Sequence, residues 1–149
     1  LTQTEAQAEA PTEKKQRPIV PFLRLPEAPG EKAYLVGARC KSCGLRYLGQ
    51  RMVCGKCLGR DLEEIRLSDE GELYVFSVVH QTAPGITVPY IAAIVDLDDG
   101  VSVRCNMEGL DPNKPDKSWL GARVEMFTEK VRTDREGNDV IAFKFRPKK

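Results

Sequence analysis

RCKSCGLRYLGQRMVCGKCLGR, residues Arg39 to Arg60, sets two C-x2-C pairs ten residues apart. Each pair makes a tight turn that aims two sulfurs at one point, and Gly44 and Gly55 supply the backbone freedom such turns need. Four of the chain's five cysteines fall in this pattern. The spacing is that of a tetrahedral thiolate site made by Cys40, Cys43, Cys54 and Cys57, and Zn2+ is its expected occupant. Four thiolates fill that coordination sphere and leave no position for water or substrate, so the expected role of the metal is structural. Iron in a rubredoxin-like site satisfies the same ligands and stays open as an alternative.

The surroundings of the cysteines are basic. Arg39, Lys41, Arg46, Arg51, Lys56 and Arg60 face no acidic residue within this stretch, and four thiolates with Zn2+ contribute minus two, leaving about plus four. Such a knob suits an anionic ligand or an acidic partner surface. The plainer reading is a solvated face whose charges offset the thiolates.

Upstream, residues 1–17 are polar and without aromatics, which predicts a disordered or loosely helical tail. From Pro18 to Pro29 four prolines interrupt Ile19, Val20, Phe22, Leu23 and Leu25. That density excludes a helix or a central strand and leaves an extended apolar arm. The arm either wraps this chain or reaches a partner. The first residue is Leu1, not methionine, and a few further residues are expected before it.

Downstream the chain reads as strand. Tyr34 to Arg39 leads into the first cysteine turn, and Asp61 to Leu67 leads out of the second. In Glu72 to Gln81, Leu73, Val75, Ser77 and Val79 share one side and Tyr74, Phe76, Val78 and His80 the other, which predicts cover on both. Tyr90 to Leu97 and Val101 to Met107 flank an Asp98-Asp99-Gly100 hairpin turn, with Cys105 beside Val101 and Val103. Ala122 to Val131 and Val140 to Phe145 complete five short strands, expected to be antiparallel. Closure into a Greek-key barrel of the OB type avoids the long exposed edges of an open sheet. The expected fold is therefore mainly β: a flexible tail and proline-rich arm over residues 1–33, a rubredoxin-like zinc ribbon over 34–66 and a five-stranded OB-fold barrel over 67–149.

Composition narrows the function. A net charge of +1 and a pI near 7.8 give no global bias toward nucleic acid or acidic membranes. No apolar run approaches the ~18 to 20 residues of a membrane span, and no signal peptide is evident. Reduced thiols and an odd fifth cysteine fit the cytoplasm. Outside the metal site there is one cysteine, Cys105, and one histidine, His80. Cys105 reads as a small buried hydrophobe, and His80 as a structural or hydrogen-bonding residue. Without a nucleophile and base to spare, independent thiolytic catalysis is disfavoured.

Taken in order, the four-cysteine ribbon, GELYVFSVV (71–79), PYIAAIVDLDDGV (89–101), LGARVEMF (120–127) and the closing FRP (145–147) resemble the OB-fold, zinc-ribbon, acyl-CoA-associated proteins. The resemblance covers about Tyr34 to Pro147. It implies a small accessory subunit of thiolase-like or hydroxymethylglutaryl-CoA-synthase-like enzymes, with structural Zn2+ on the four cysteines and coenzyme A or acyl-CoA at the partner interface. Carried over residue by residue, it points to Pro89, Tyr90, Phe145 and Arg146 for CoA contacts, and the basic Arg46 and Arg51 join them. Members usually enter the ribbon by a helix, where this chain has its proline-rich arm. The competing class is a nucleic-acid binder stacking bases on Tyr74, Tyr90, Phe76 or Phe143, opposed by the acidic Asp96, Asp98 and Asp99. A rubredoxin-like electron carrier is the third.

Overall fold

The arm runs extended, as its prolines require, and contributes two short strands, β1 (Gln16–Pro18) and β2 (Leu23–Arg24). The computed structural model describes residues 15–149, so most of the expected N-terminal tail lies outside the described residues. Strands β3 (Tyr34–Cys40), β4 (Arg46–Leu48) and β5 (Leu62–Arg66) form the ribbon, with β3 between β4 and β5. β2 extends this sheet by pairing Leu23 with Leu35.

The barrel is built from β6 (Glu70–Val79), β7 (Tyr90–Leu97), β8 (Ser102–Met107), β9 (Arg123–Thr133) and β10 (Asp139–Pro147). A 3-10 turn at Lys117–Trp119 precedes β9. Around the barrel the order is β9, β6, β7, β8, β10, and β10 closes on β9. One seam departs from the all-antiparallel expectation: β8 and β10 are parallel, meeting where Phe145 lies opposite Met107. Five strands cannot alternate direction all the way round a closed ring, so one parallel seam is geometrically required. Among the described residues no helix is long and apolar enough to cross a membrane.

Strand alternation fills the interior. In β7 and β8 the odd-numbered residues Ile91, Ala93, Val95, Val103, Cys105 and Met107 face inward, and their even-numbered neighbours face out. β6 corrects the sequence reading. A bulge shifts its register between Leu73 and Val75, so Leu73 pairs with Val95 but Val75 with Ile94. The extra residue reverses the phase: Phe76 and Val78 turn inward, and Tyr74 and Val75 are exposed. Gly71 lies where β6 crosses β7 most tightly, and a side chain there would run into the Asp96 backbone.

The arm lies on its own chain. Lys15 and Ile19 flank β1, which runs parallel to the start of β10; the Ile19 amide donates to the Ile141 carbonyl at 2.8 Å. Leu23 is fully buried and Phe22 meets the edge of Phe143 with ring centroids 5.9 Å apart. Leu23, Leu35 and Leu67 belong to the same core as Leu73, Val95 and Phe145, so the root of the ribbon and the barrel share one interior. Truncating a fully buried leucine costs about 2–5 kcal/mol through lost burial and the cavity left behind. Leu23→Ala in the isolated chain is therefore expected to lower stability by that amount in urea melts; an unchanged midpoint would mean that the arm does not pack here in solution.

Candidate functional site

The two cysteine turns are copies of one another. The Cys40 amide donates to the Leu45 carbonyl at 2.9 Å and the Gly44 amide to the Cys40 carbonyl at 2.8 Å. At the same offsets, the Cys54 amide donates to Gly59 at 2.8 Å and the Leu58 amide to Cys54 at 3.0 Å. Both turns need a left-handed residue just after the second cysteine. Gly44 supplies it at φ 77°, whereas the second turn places Leu58 there at φ 60°. A non-glycine residue in this region costs roughly 1–2 kcal/mol.

All four Sγ atoms lie within 4.8 Å of one another, with Cys40 to Cys57 and Cys43 to Cys54 each at 3.5 Å. Sulfurs placed about 2.3 Å from a central Zn2+ would stand about 3.8 Å apart, so the residues fit a tetrahedral zinc. Cys40 and Cys54 are buried and Cys57 is exposed.

Hydrogen bonds already favour thiolates. The Cys40 thiol is lowered chiefly by the Cys43 amide. Cys54 is brought to about 6, first by the Tyr47 hydroxyl at 3.3 Å and then by the Cys57 amide. Cys57 goes the other way: the Gly59 amide lowers it, but its hydrogen bonds with the Cys40, Cys54 and Cys43 sulfurs, with some desolvation of its own sulfur, carry it up to about 11. Loading zinc near pH 7 therefore displaces protons, because the metal binds thiolates.

Tyr47 is a residue that the sequence reading missed. Its hydroxyl accepts the Gly55 amide at 2.8 Å while it bonds Cys54, so it ties β4 to the second cysteine turn. Its ring carries the Arg51 guanidinium 4.3 Å from the centroid. Nothing in the spacing of an isolated tyrosine marks this role.

The residues singled out for CoA fall at separate places. Arg46 reaches the β7–β8 hairpin, 3.6 Å from the Asp99 carboxylate, which also accepts the Ser68 amide. Arg51 lies over Tyr47. Pro89 and Tyr90 line a cleft of about 490 Å³ with Ile86, Asn106, Leu110 and Lys144. Lys144 bridges Glu108 at 2.8 Å and Glu129 at 3.2 Å on one side of it. Tyr90 and the hairpin terminate opposite ends of β7, roughly 23 Å apart at about 3.3 Å per residue. Arg146 stands on a third face, 3.1 Å from Glu125 and over the Phe127 ring. Phe145 requires a correction: it is wholly buried and closes the barrel core, so it is not accessible to a ligand.

The basic knob is also less charged than its own segment suggests. Arg39 pairs with Glu63 and Lys41 with Asp61 at 3.7 Å, both acids lying just beyond the stretch of sequence that held no acidic residue. Over residues 34–66, Arg66 and the acids Asp61, Glu63 and Glu64 enter the count, which reduces the total with the metal site to about plus two. Lys56 and Arg60 have no carboxylate partner among the described residues.

Comparison with known proteins places this architecture. A DUF35 domain-containing scaffold protein of Methanocaldococcus jannaschii is 33% identical over 121 residues, 78% of this chain and 84% of the relative. The chain belongs to the DUF35 family. The family model for the C-terminal OB-fold domain of ChsH2 matches residues 64–129 of this DUF35 protein. Benzoylsuccinyl-CoA thiolase subunit BbsA of Thauera aromatica is 32% identical over 136 residues, 89% of this chain and 92% of BbsA. Among solved structures, the Ltp2-ChsH2(DUF35) aldolase superposes with a TM-score of 0.59 at 26% identity, over 76% of this chain and 84% of that one. The expected OB barrel is thus the fold that the family model names, and the ribbon stands before it in this chain.

Tyr47→Phe removes a hydrogen-bond donor to a metal-site thiolate, a change that typically costs 10–100-fold in metal affinity. Competition against a chromophoric chelator is expected to show at least a tenfold loss of Zn2+ affinity for this variant, with Cys43→Ser losing tight binding altogether. Equal affinity for Tyr47→Phe and the parent would remove Tyr47 from the metal site.

Proposed function

We propose that this chain is a non-catalytic accessory subunit of a thiolase-type acyl-CoA acyltransferase complex, stabilising a separate catalytic chain and helping to hold its CoA ester. The observation that carries the reading is the likeness to BbsA, named as a thiolase subunit, along nearly the full length of both chains. The pairing named in the Ltp2-ChsH2(DUF35) aldolase supports the same kind of assembly.

Chemistry within the chain agrees. Cys105 is buried among Val101, Val103 and Met107, and burial pushes its thiol up to about 12. A thiol held in that state is not a nucleophile near neutral pH. His80 is exposed beyond the end of β6 and makes no side-chain hydrogen bond among the described residues. The acyl-carrying cysteine then belongs to the catalytic chain. For the CoA ester, the cleft beside Pro89 and Tyr90 has a volume in the range of small-molecule sites and is lined by Lys130 and Lys144, while Arg46, Arg51 and Arg146, on other faces of the chain, are the further cations proposed for its phosphates. The complex is placed in the cytoplasm.

The nucleic-acid alternative finds less support. Outward side chains of β7 and β8, the face on which OB folds bind oligonucleotides, are Ala92, Ile94, Asp96, Ser102, Arg104 and Asn106, with a single cation among them. Phe76 packs against Trp119, and Phe143 against Phe22 and Phe145. These rings serve the fold.

Reconstitution tests the proposal. The purified chain is expected to have no thiolase activity with a 3-oxoacyl-CoA and CoA, and to raise the activity or melting temperature of a purified thiolase-like subunit on mixing. Activity in this chain alone, or a catalytic subunit indifferent to it, would defeat the reading.

A further inference from the structure

The ribbon tip keeps large apolar side chains in water. Met52 is 87% exposed and Leu58 74%, and Leu45 and Val53 are exposed beside them. All four lie within two residues of a cysteine whose sulfur belongs to the same 4.8 Å cluster, so they surround one corner of the molecule. Leu58 is the informative one. Its side chain is left mostly in water, yet it occupies a left-handed position that glycine fills in the matching turn at Gly44. The Leu58 amide closes the turn, as glycine would, but an exposed leucine side chain adds little to the isolated fold, and strain retained for it points to a use outside the fold.

Charge defines what would cover this corner. Lys56 and Arg60 have no carboxylate partner among the described residues, and Arg51 adds a third cation beside them. We propose that the ribbon tip docks the catalytic subunit, with Met52 and Leu58 as apolar anchors inside a cationic rim. The matching surface is an apolar groove edged by carboxylates. This rests on the accessory-subunit reading and names the surface by which the assembly forms. Exposed apolar anchors enclosed by complementary charge are the arrangement in which a few side chains dominate affinity and the rim sets the association rate. Zinc on the four cysteines would hold both turns rigid, so that the anchors lose little freedom on docking. The barrel wall at Tyr74, Val75 and Ile94 is also exposed and apolar, but Arg104 is the one cation lining it, where the ribbon tip gathers three, and it serves as the control surface.

The test uses the full chain and a purified thiolase-like subunit that binds it measurably. Leu58→Gly suits the left-handed backbone and Met52→Ser lies in water, so both variants should keep their zinc content and melting temperature. Together they are expected to weaken binding by tenfold or more, whereas Tyr74→Ser with Val75→Ser leaves it unchanged. Arg60→Glu should slow association and flatten its salt dependence. Full affinity in the Leu58→Gly, Met52→Ser variant while the parent chain binds overturns the docking surface and leaves the accessory role standing. A loss confined to the barrel-wall variants does the same. If the parent chain binds no thiolase-like subunit of its own organism, the accessory reading fails and the docking surface with it.

Discussion

Between residues 41 and 60 the chain buries one apolar side chain, and that is Cys54. A segment of this length cannot hold a unique shape by hydrophobic burial, so its two turns depend on the convergence of four sulfurs. Everything presented by the ribbon tip inherits its position from that convergence, including Tyr47, the cations and Leu58. The barrel has the opposite economy. Its interior is a continuous aliphatic packing in which Leu73, Val95, Val103, Val124 and Phe145 are almost wholly excluded from water.

Two different principles of stabilisation therefore meet at the root of the ribbon. Leu35 and Leu67 join the barrel core from the ribbon side, and Leu23 joins it from the arm. Beyond this apolar joint, Arg46 crosses to Asp99 on the β7–β8 hairpin, and Arg123 holds Asp98 of the same hairpin at 2.7 Å. The acids that would repel a phosphate backbone are thus tied into the fold. Exposed ion pairs of this kind add little stability individually, but several that converge on one hairpin fix its direction relative to the ribbon.

Legibility in the sequence followed the range of each interaction. Cys40, Cys43, Cys54 and Cys57 were readable because metal ligation constrains residue type and local spacing together. The strands were readable because burial on one face imposes a period of two, and β7 and β8 obey it residue by residue. β6 broke the pattern at Tyr74, since a bulge is decided by pairing with β7 and leaves no signature in β6 itself. The role of Leu58 was available in principle from the mismatch between C-x2-C-G and C-x2-C-L. Arg46 was read as a free cation because its partner lies 53 residues away, and Phe145 as a ligand contact because a closing motif does not reveal which of its side chains points inward.

The parallel pairing of β1 with β10 has a consequence of a different kind. β8 pairs with β10 only at Phe145, while β1 covers Asp139 to Ile141 on that same strand, whose other edge is already bonded to β9. The arm thus plugs the part of the barrel seam that β8 does not reach. Without it, β10 would present a row of unpaired amides and carbonyls flanked by Val140, Ile141 and Ala142, the kind of open edge that recruits strands from other molecules. The proline at the end of β1, which offers no amide of its own, lets the arm seal this edge without becoming a template for further strands.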